Sequence, residues 1–212
     1  DRAEIRDLCA WLRLIVNNDD DPAFLRAIAT PRRGVGTTTL TRLAEYASKS
    51  RTSLFEALFA PGLAALLGAK AIAALHDFGR GVNDFEHRAR HTTGAEDAKA
   101  LLLAWLKELG YEQHLYDSED SEKLAAARWT NVLDFVDWVG SADVGERQSV
   151  WQTAQTIGII ASLAERGEEQ DVVTLSTLHA AKGLEWPHVM LAGVNEGLLP
   201  FRAEGDELTP ER

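Results

Sequence analysis

Apolar positions recur three and four apart from residue 3 to about residue 166, broken by glycine or proline, which is the spacing of helices that each bury one face. In the first segment Ile5, Leu8, Cys9, Leu12, Ile15 and Val16 form such a stripe. Asp21 before Pro22 predicts the N-cap and first-turn proline of a short helix holding Phe24, Leu25 and Ile28, closed by Thr30 and Pro31. A second helix is expected near Thr37, burying Leu40, Leu43 and Ala47. Ser53 with Glu56 forms a capping box for a helix from Leu54 to Phe59, which Pro61 and Gly62 end. Longer helices are predicted over about 69–90, 95–109, 120–140 and 148–166.

The pattern changes near Gly167. Residues 171–177 (DVVTLST) alternate in the manner of a strand, and Val189 to Ala192 is an apolar run of strand length. Between them lies LHAAKGLEW, read as a loop and a short helix. That order is the unit of an α/β sheet, yet two strands do not make a stable sheet alone. The expected fold is therefore mainly α, a bundle-like helical part followed by a small α/β remnant of a domain completed elsewhere. Residues 204–212 are polar and expected to be loose.

Composition bounds the picture further. With 212 residues and 45% hydrophobic content, the chain has the material for one large domain or two small ones. The single cysteine, Cys9, excludes an intramolecular disulfide and any cysteine-based metal cluster, and a reducing cytoplasm fits best. No apolar run has the length of a membrane span, and the charged amphipathic start is unlike a signal peptide. A net charge of -11 argues against nucleic-acid binding spread over the whole surface. The charge is uneven, however: residues 1–50 carry eight Lys or Arg against seven Asp or Glu, so any phosphate contact is expected to be local.

Two segments carry candidate chemistry. From Val173 to Pro200 polar groups crowd the end of an expected strand and the turn after it, where ligands sit in open α/β sheets. There Thr177 and His179 are suited to donate to phosphates or bases, Lys182 supplies a cation, Gly183 permits close backbone approach and Glu185 suits a ribose hydroxyl. The competing reading is a capped turn with Lys182 and Glu185 as solvated charges. In the second segment, Thr30 to Leu40, Gly34 and Gly36 flank Val35 just before a helix start, letting backbone N–H groups converge on an anion beside Arg32 and Arg33. A simple turn is the other reading of those glycines. The six tryptophans fall mostly in helical patterns and read as core or interdomain residues rather than base-stacking platforms. The histidines show no metal spacing, residues 19–21 read as a turn and cap, and the acidic stretch from Asp117 to Glu122 reads as a helix start. No G-x-x-x-x-G-K-[ST] phosphate loop occurs.

The stretch VTLSTLHAAKGLEW resembles motif V of the superfamily 1 DNA helicases of the Rep, UvrD and PcrA type, and Glu196 to Pro200 (EGLLP) is similar to the segment that follows it there. Glu4 to Arg13 (EIRDLCAWLR) resembles the family's helix where the second RecA-like domain, 2A, passes into an inserted helical subdomain, 2B. The resemblance implies residues 1–18 as the first part of 2A, 19–168 as an all-helical 2B, and 169–212 as the return into 2A. It makes the GVG segment similar to the family's GIG element, a helix-hairpin-helix-like grip on duplex DNA, with Arg32, Arg33, Gly34, Gly36 and Thr39 as its contacts. It also implies that Thr177 and His179 touch single-stranded DNA while Gly183 and Glu185 face the nucleotide, with Lys182, a further DNA-binding residue, between the two sites. Val35 stands where isoleucine is usual and Trp186 where phenylalanine is commoner.

By the same resemblance the parent is an ATP-dependent helicase of 3′ to 5′ polarity, using ATP and Mg²⁺. This chain lacks the phosphate loop, the acidic metal motif and the arginine-bearing motif VI. It is therefore expected to be a piece of a longer protein, to bind no cofactor alone, and to hold no catalytic residue. Expected partners are DNA, single-stranded and at duplex junctions, and the remaining helicase domains. Self-association through exposed strand edges is also open, and no membrane is expected. Two alternatives stand beside this: a DNA- or protein-binding module without ATPase activity, and part of a helicase-nuclease. The pathway, replication or repair, stays open.

Overall fold

The structure, a computed structural model, describes residues 2–140, 149–166, 173, 175–179, 181–183 and 185–194. The EGLLP segment, the polar residues after it and positions 171, 172 and 174 lie outside the described residues. The chain divides into two compact units, residues 1–168 and 169–212.

The described part of the first unit is helical. Its elements are α1 (Ala3–Val16), α2 (Asp21–Ala29), α3 (Thr37–Ser50), α4 (Leu54–Ala57), a 3₁₀ turn (Pro61–Ala65), α5 (Ala69–His91), α6 (Ala95–Leu109), α7 (Tyr111–Ser118), α8 (Glu122–Gly140) and α9 (Val150–Arg166). Helix α1 packs against α2, α5, α8 and α9. Its apolar stripe is broad enough for that, since Leu8, Trp11, Leu12, Leu14 and Ile15 are all buried. Trp11 meets Trp105 edge-on at 5.4 Å and tilts against Phe78 at 5.3 Å, while Phe85 stacks on Trp105 at 4.3 Å. Each large side chain so buried contributes about 1.5–3 kcal/mol, and each aromatic pair adds about 0.5–1.5 kcal/mol. Gly79 sits where α5 presses on the α4 region: an added Cβ would stand 2.5 Å from Phe59 Cζ and 2.7 Å from Leu58 Cδ1.

Polar groups at the start of α1 are paired inside this core, whereas the buried Thr153 hydroxyl has no hydrogen-bond partner among the described residues. The Tyr111 hydroxyl donates to Asp7 at 2.9 Å, Arg26 pairs with the same carboxylate at 2.6 Å, and Asn131 donates to Glu4 at 2.7 Å. Burial, then the neighbouring Asp7, drives the Tyr111 phenol well above its ordinary pKa. The network ties the start of α1 to α2, α7 and α8, and no isolated charge is left at that junction. Cys9 is half-buried, and burial raises its thiol pKa against the smaller opposing pull of Arg13 and Arg26.

Several boundaries differ from expectation. The cap of α2 is Asp20, which accepts from Ala23 N at 2.9 Å and is held by Arg13 at 2.8 Å. Asp21 falls inside the helix and accepts from Leu54 N at 2.9 Å, tying α2 to α4. Ser53 caps α4 as read, accepting from Glu56 N at 3.2 Å. Helix α7 was not separated by periodicity; Gly110, at φ +65°, ends α6 and starts α7 in one step. The acidic stretch 117–122 spans the end of α7 and the start of α8, so it is not a single helix start. Trp11 and Trp105 are core residues as read, but Trp138 is largely exposed.

In the second unit the strand expectations are not met: among the described residues none lies in a strand. Val173, Leu175, Val189 and Met190 are exposed instead. A strand needs a neighbour for its N–H and C=O groups and a covered face for its side chains, and among the described residues these positions show no pairing strand and no cover.

Candidate nucleic-acid interface

The loop between α2 and α3 turns two adjacent arginines in opposite directions. Trp11 Nε1 donates to Thr30 O at 3.1 Å where α2 closes, and the Thr30–Pro31 peptide is cis. Arg33 points inward. Its Nη1 donates to Ala27 O at 3.1 Å and Pro31 O at 2.7 Å, and its guanidinium stands 4.9 Å from the Trp11 ring centroid and 5.5 Å from that of Phe78. Burial lowers its pKa to about 10, which leaves it charged at neutral pH.

Arg32 is exposed, and so are Gly34 and Gly36. Gly34 adopts φ +72°, a conformation that a side chain at that position would strain. Gly36 is the N-cap of α3 and offers no side-chain acceptor. Its carbonyl takes Thr39 N at 3.0 Å and Leu40 N at 3.1 Å, while exposed Thr37 and Thr38 stand at the helix start. The outer side of the loop thus combines one cation with an uncapped, positively polarised helix end, an arrangement suited to a phosphate. Thr39, half-buried, sits one turn in. His114 lies within reach of both arginines. Burial chiefly, with the charges of Arg32 and Arg33, holds its imidazole below the ordinary value, and Asp7 and Asp117 oppose the shift.

In the second unit residues 177–179 and 181–183 form a tight turn. Thr177 O accepts from Ala181 N at 2.9 Å, His179 O accepts from Lys182 N at a long 3.4 Å, and Ser176 Oγ donates to Thr177 O at 3.1 Å. Gly183 takes φ +86°, and an added Cβ would meet nothing within 4 Å among the described residues, so the glycine answers to backbone conformation and not to crowding. Thr177, His179, Lys182 and Glu185 are all exposed. The turn therefore offers an imidazole, an ammonium and a carboxylate to solvent within a few residues.

The sequence-predicted site residues thus fall into two sets, one in each unit. Within the first, the structure gathers Arg32, Gly34, Gly36 and Thr39 around the α3 start and turns Arg33 away from it. Sequence reasoning missed Trp11 and Phe78 as the rings under Arg33, and Thr37 and Thr38 as the exposed pair at the helix start. A threonine run directly after G-x-G was the available signal for the latter. Among the described residues no group of three His, Cys, Asp or Glu side chains is placed to hold a metal ion, and no helix is long and apolar enough to cross a membrane.

Comparison with known proteins shows the family to which this chain belongs. Residues 1–212 match the UvrD-like helicase C-terminal domain, and the chain belongs to that family. It is 36% identical to the ATP-dependent DNA helicase Rep of Escherichia coli K12 over 213 residues, covering 97% of this chain and 31% of the relative. It is 34% identical to the ATP-dependent DNA helicase PcrA of Leuconostoc citreum, covering 98% of this chain and 28% of that protein. PcrA of Bacillus subtilis is 31% identical, with 94% of this chain and 27% of the relative covered. The chain spans under a third of the length of these curated relatives.

Proposed function

We propose that this chain is the duplex-gripping and coupling portion of an ATP-dependent DNA helicase of 3′ to 5′ polarity. The observation that carries the reading is the α3 start, where one short loop brings exposed Arg32, Gly34 and Gly36 to an uncapped helix end. In this reading residues 19–168 act as subdomain 2B on the duplex ahead of the fork, while 1–18 and 169–212 belong to the RecA-like domain 2A. The turn from Thr177 to Glu185 is motif V. Thr177, His179 and Lys182 lie along the single strand, and Gly183 and Glu185 face ATP and Mg²⁺ held largely by the remaining helicase domains. Exposure of all these side chains supports the assignment, since each is available to a ligand. One short segment sensing both nucleotide and DNA is a coupling element: ATP state and strand affinity then change together, by equal factors.

The test uses the full-length protein. Arg32→Gln should weaken binding to a duplex junction and lower the slope of log K against log salt by about 1, the effect of losing one phosphate contact. His179→Ala should weaken single-strand binding, and Glu185→Gln should raise the KM for ATP. An Arg32→Gln protein with wild-type duplex affinity and slope would defeat the duplex assignment. Unchanged behaviour of both motif V variants would defeat the coupling assignment.

A further inference from the structure

Arg32 and Arg33 are adjacent in sequence and serve opposite sides of the loop. The exposed Arg32 faces solvent beside the α3 start, whereas the half-buried Arg33 has its charge directed at protein groups. Its two acceptors, Ala27 O and Pro31 O, lie in the last turn of α2 and two residues beyond its end, just after the cap Thr30. Carbonyls at a helix end have no partner within the helix and carry its negative pole, so a cation there is favourable. The same guanidinium lies over Trp11 and Phe78, both core residues, and Trp11 also holds the loop by donating to Thr30 O. Among the described residues no carboxylate pairs with Arg33; carbonyls and ring faces balance its charge.

This combination asks for arginine in particular. A planar, weakly hydrated cation can lie over aromatic faces while its N–H groups reach carbonyls in the ring-bounded space, whereas an ammonium is a compact, strongly hydrated point charge. A phosphate contact on an open surface makes no such demand, and lysine serves it well.

Resting on the duplex-contact reading above, we propose that Arg33 is a positioning residue for duplex binding: it fastens the end of α2 to the aromatic core, and thereby holds Arg32 and the α3 start where a phosphate meets them, without touching DNA itself. Gly34 completes the device. Its left-handed backbone lets the chain turn outward directly after a residue that is anchored inward.

Four variants of the full-length protein, Arg32→Gln, Arg33→Gln, Arg33→Lys and the double Arg32→Gln/Arg33→Gln, test this by two readouts. The first is amide hydrogen exchange over residues 34–41 without DNA. Exchange should rise in Arg33→Gln and Arg33→Lys and stay at wild type in Arg32→Gln. The second is the salt dependence of duplex binding. Arg33→Lys should bind as poorly as Arg33→Gln despite its charge, and the double variant should lose about 1 in slope, no more than Arg32→Gln alone. A double variant that loses about 2, with Arg33→Lys near wild type, would make Arg33 a direct phosphate contact and overturn the proposal. Unchanged exchange in Arg33→Gln would overturn it equally. If exchange rises as expected but Arg32→Gln binds duplex like wild type, the duplex reading itself fails and the positioning role falls with it, leaving only a loop anchor. Should Arg33→Gln fail to fold, Arg33→Lys carries both readouts.

Discussion

Leu14, Phe24 and Val82 in the helical unit are wholly covered, whereas Val173, Leu175 and Met190 in the second unit are 91%, 95% and 97% exposed. The two sets of side chains are equally apolar, so hydrophobicity alone does not decide which is buried. The difference lies in the backbone. A helix satisfies its own N–H and C=O groups and needs only a neighbour for one face, and the helical unit supplies those neighbours locally. A strand-like sequence satisfies nothing by itself; its apolar residues wait on a partner strand and a covering layer. In this chain the first unit covers its core with its own described residues, and the second holds polar side chains on an open turn.

The contrast can be broken by substitution. Trp11→Ala should cost about 3–5 kcal/mol, because the ring is buried between Trp105 and Phe78 and also anchors Thr30. Leu175→Ala, at a site with almost no cover, should change stability by less than about 0.5 kcal/mol. Chemical denaturation of both variants measures the pair, and equal losses would show that the second unit is closed as well. Gly79→Ala should cost about 1–3 kcal/mol by overpacking against Leu58 and Phe59, with the midpoint shifting and the slope unchanged. Asp20→Ala should cost about 0.5–2 kcal/mol through loss of the α2 cap, read in the same denaturation experiment.

The smallest effect expected is that of pH. The His114 imidazole is held below its ordinary value of about 6.5 in the folded chain, so the unfolded chain takes up the proton first as pH falls. The associated stability is complete above about pH 6.5 and is lost as pH drops through the folded value. The melting temperature should therefore decline over that window, and His114→Gln should flatten part of the decline. A His114→Gln protein with the full wild-type pH profile would assign the dependence to other groups.

Much of the helical unit was legible because its signals are local. Ser53 capping α4, the α3 start at Thr37 and the stripe from Ile5 to Val16 each depend on residues within a turn or two of one another. The Asp20 cap was displaced by one because three consecutive aspartates offer equal local chemistry, and Arg13, seven residues away, helps fix the choice. Helix α7 escaped because Gly110 serves as both stop and start. In the candidate site, the glycines and the cation Arg32 were legible from spacing. The inward turn of Arg33 was not, since it depends on Trp11 and Phe78, which are distant in sequence. The turn around Thr177 and Gly183 was legible as well, because the change of pattern near Gly167 and the glycine itself are local signals.

The lone thiol of Cys9 has a practical consequence. Half-buried and with its proton held more tightly than usual, it presents little thiolate to an electrophile at neutral pH. These 212 residues are therefore an almost silent background for site-directed labelling. A cysteine introduced at exposed Thr38 would take a fluorophore or spin label selectively, and could report the approach of a double helix without first engineering the parent sulfhydryl away.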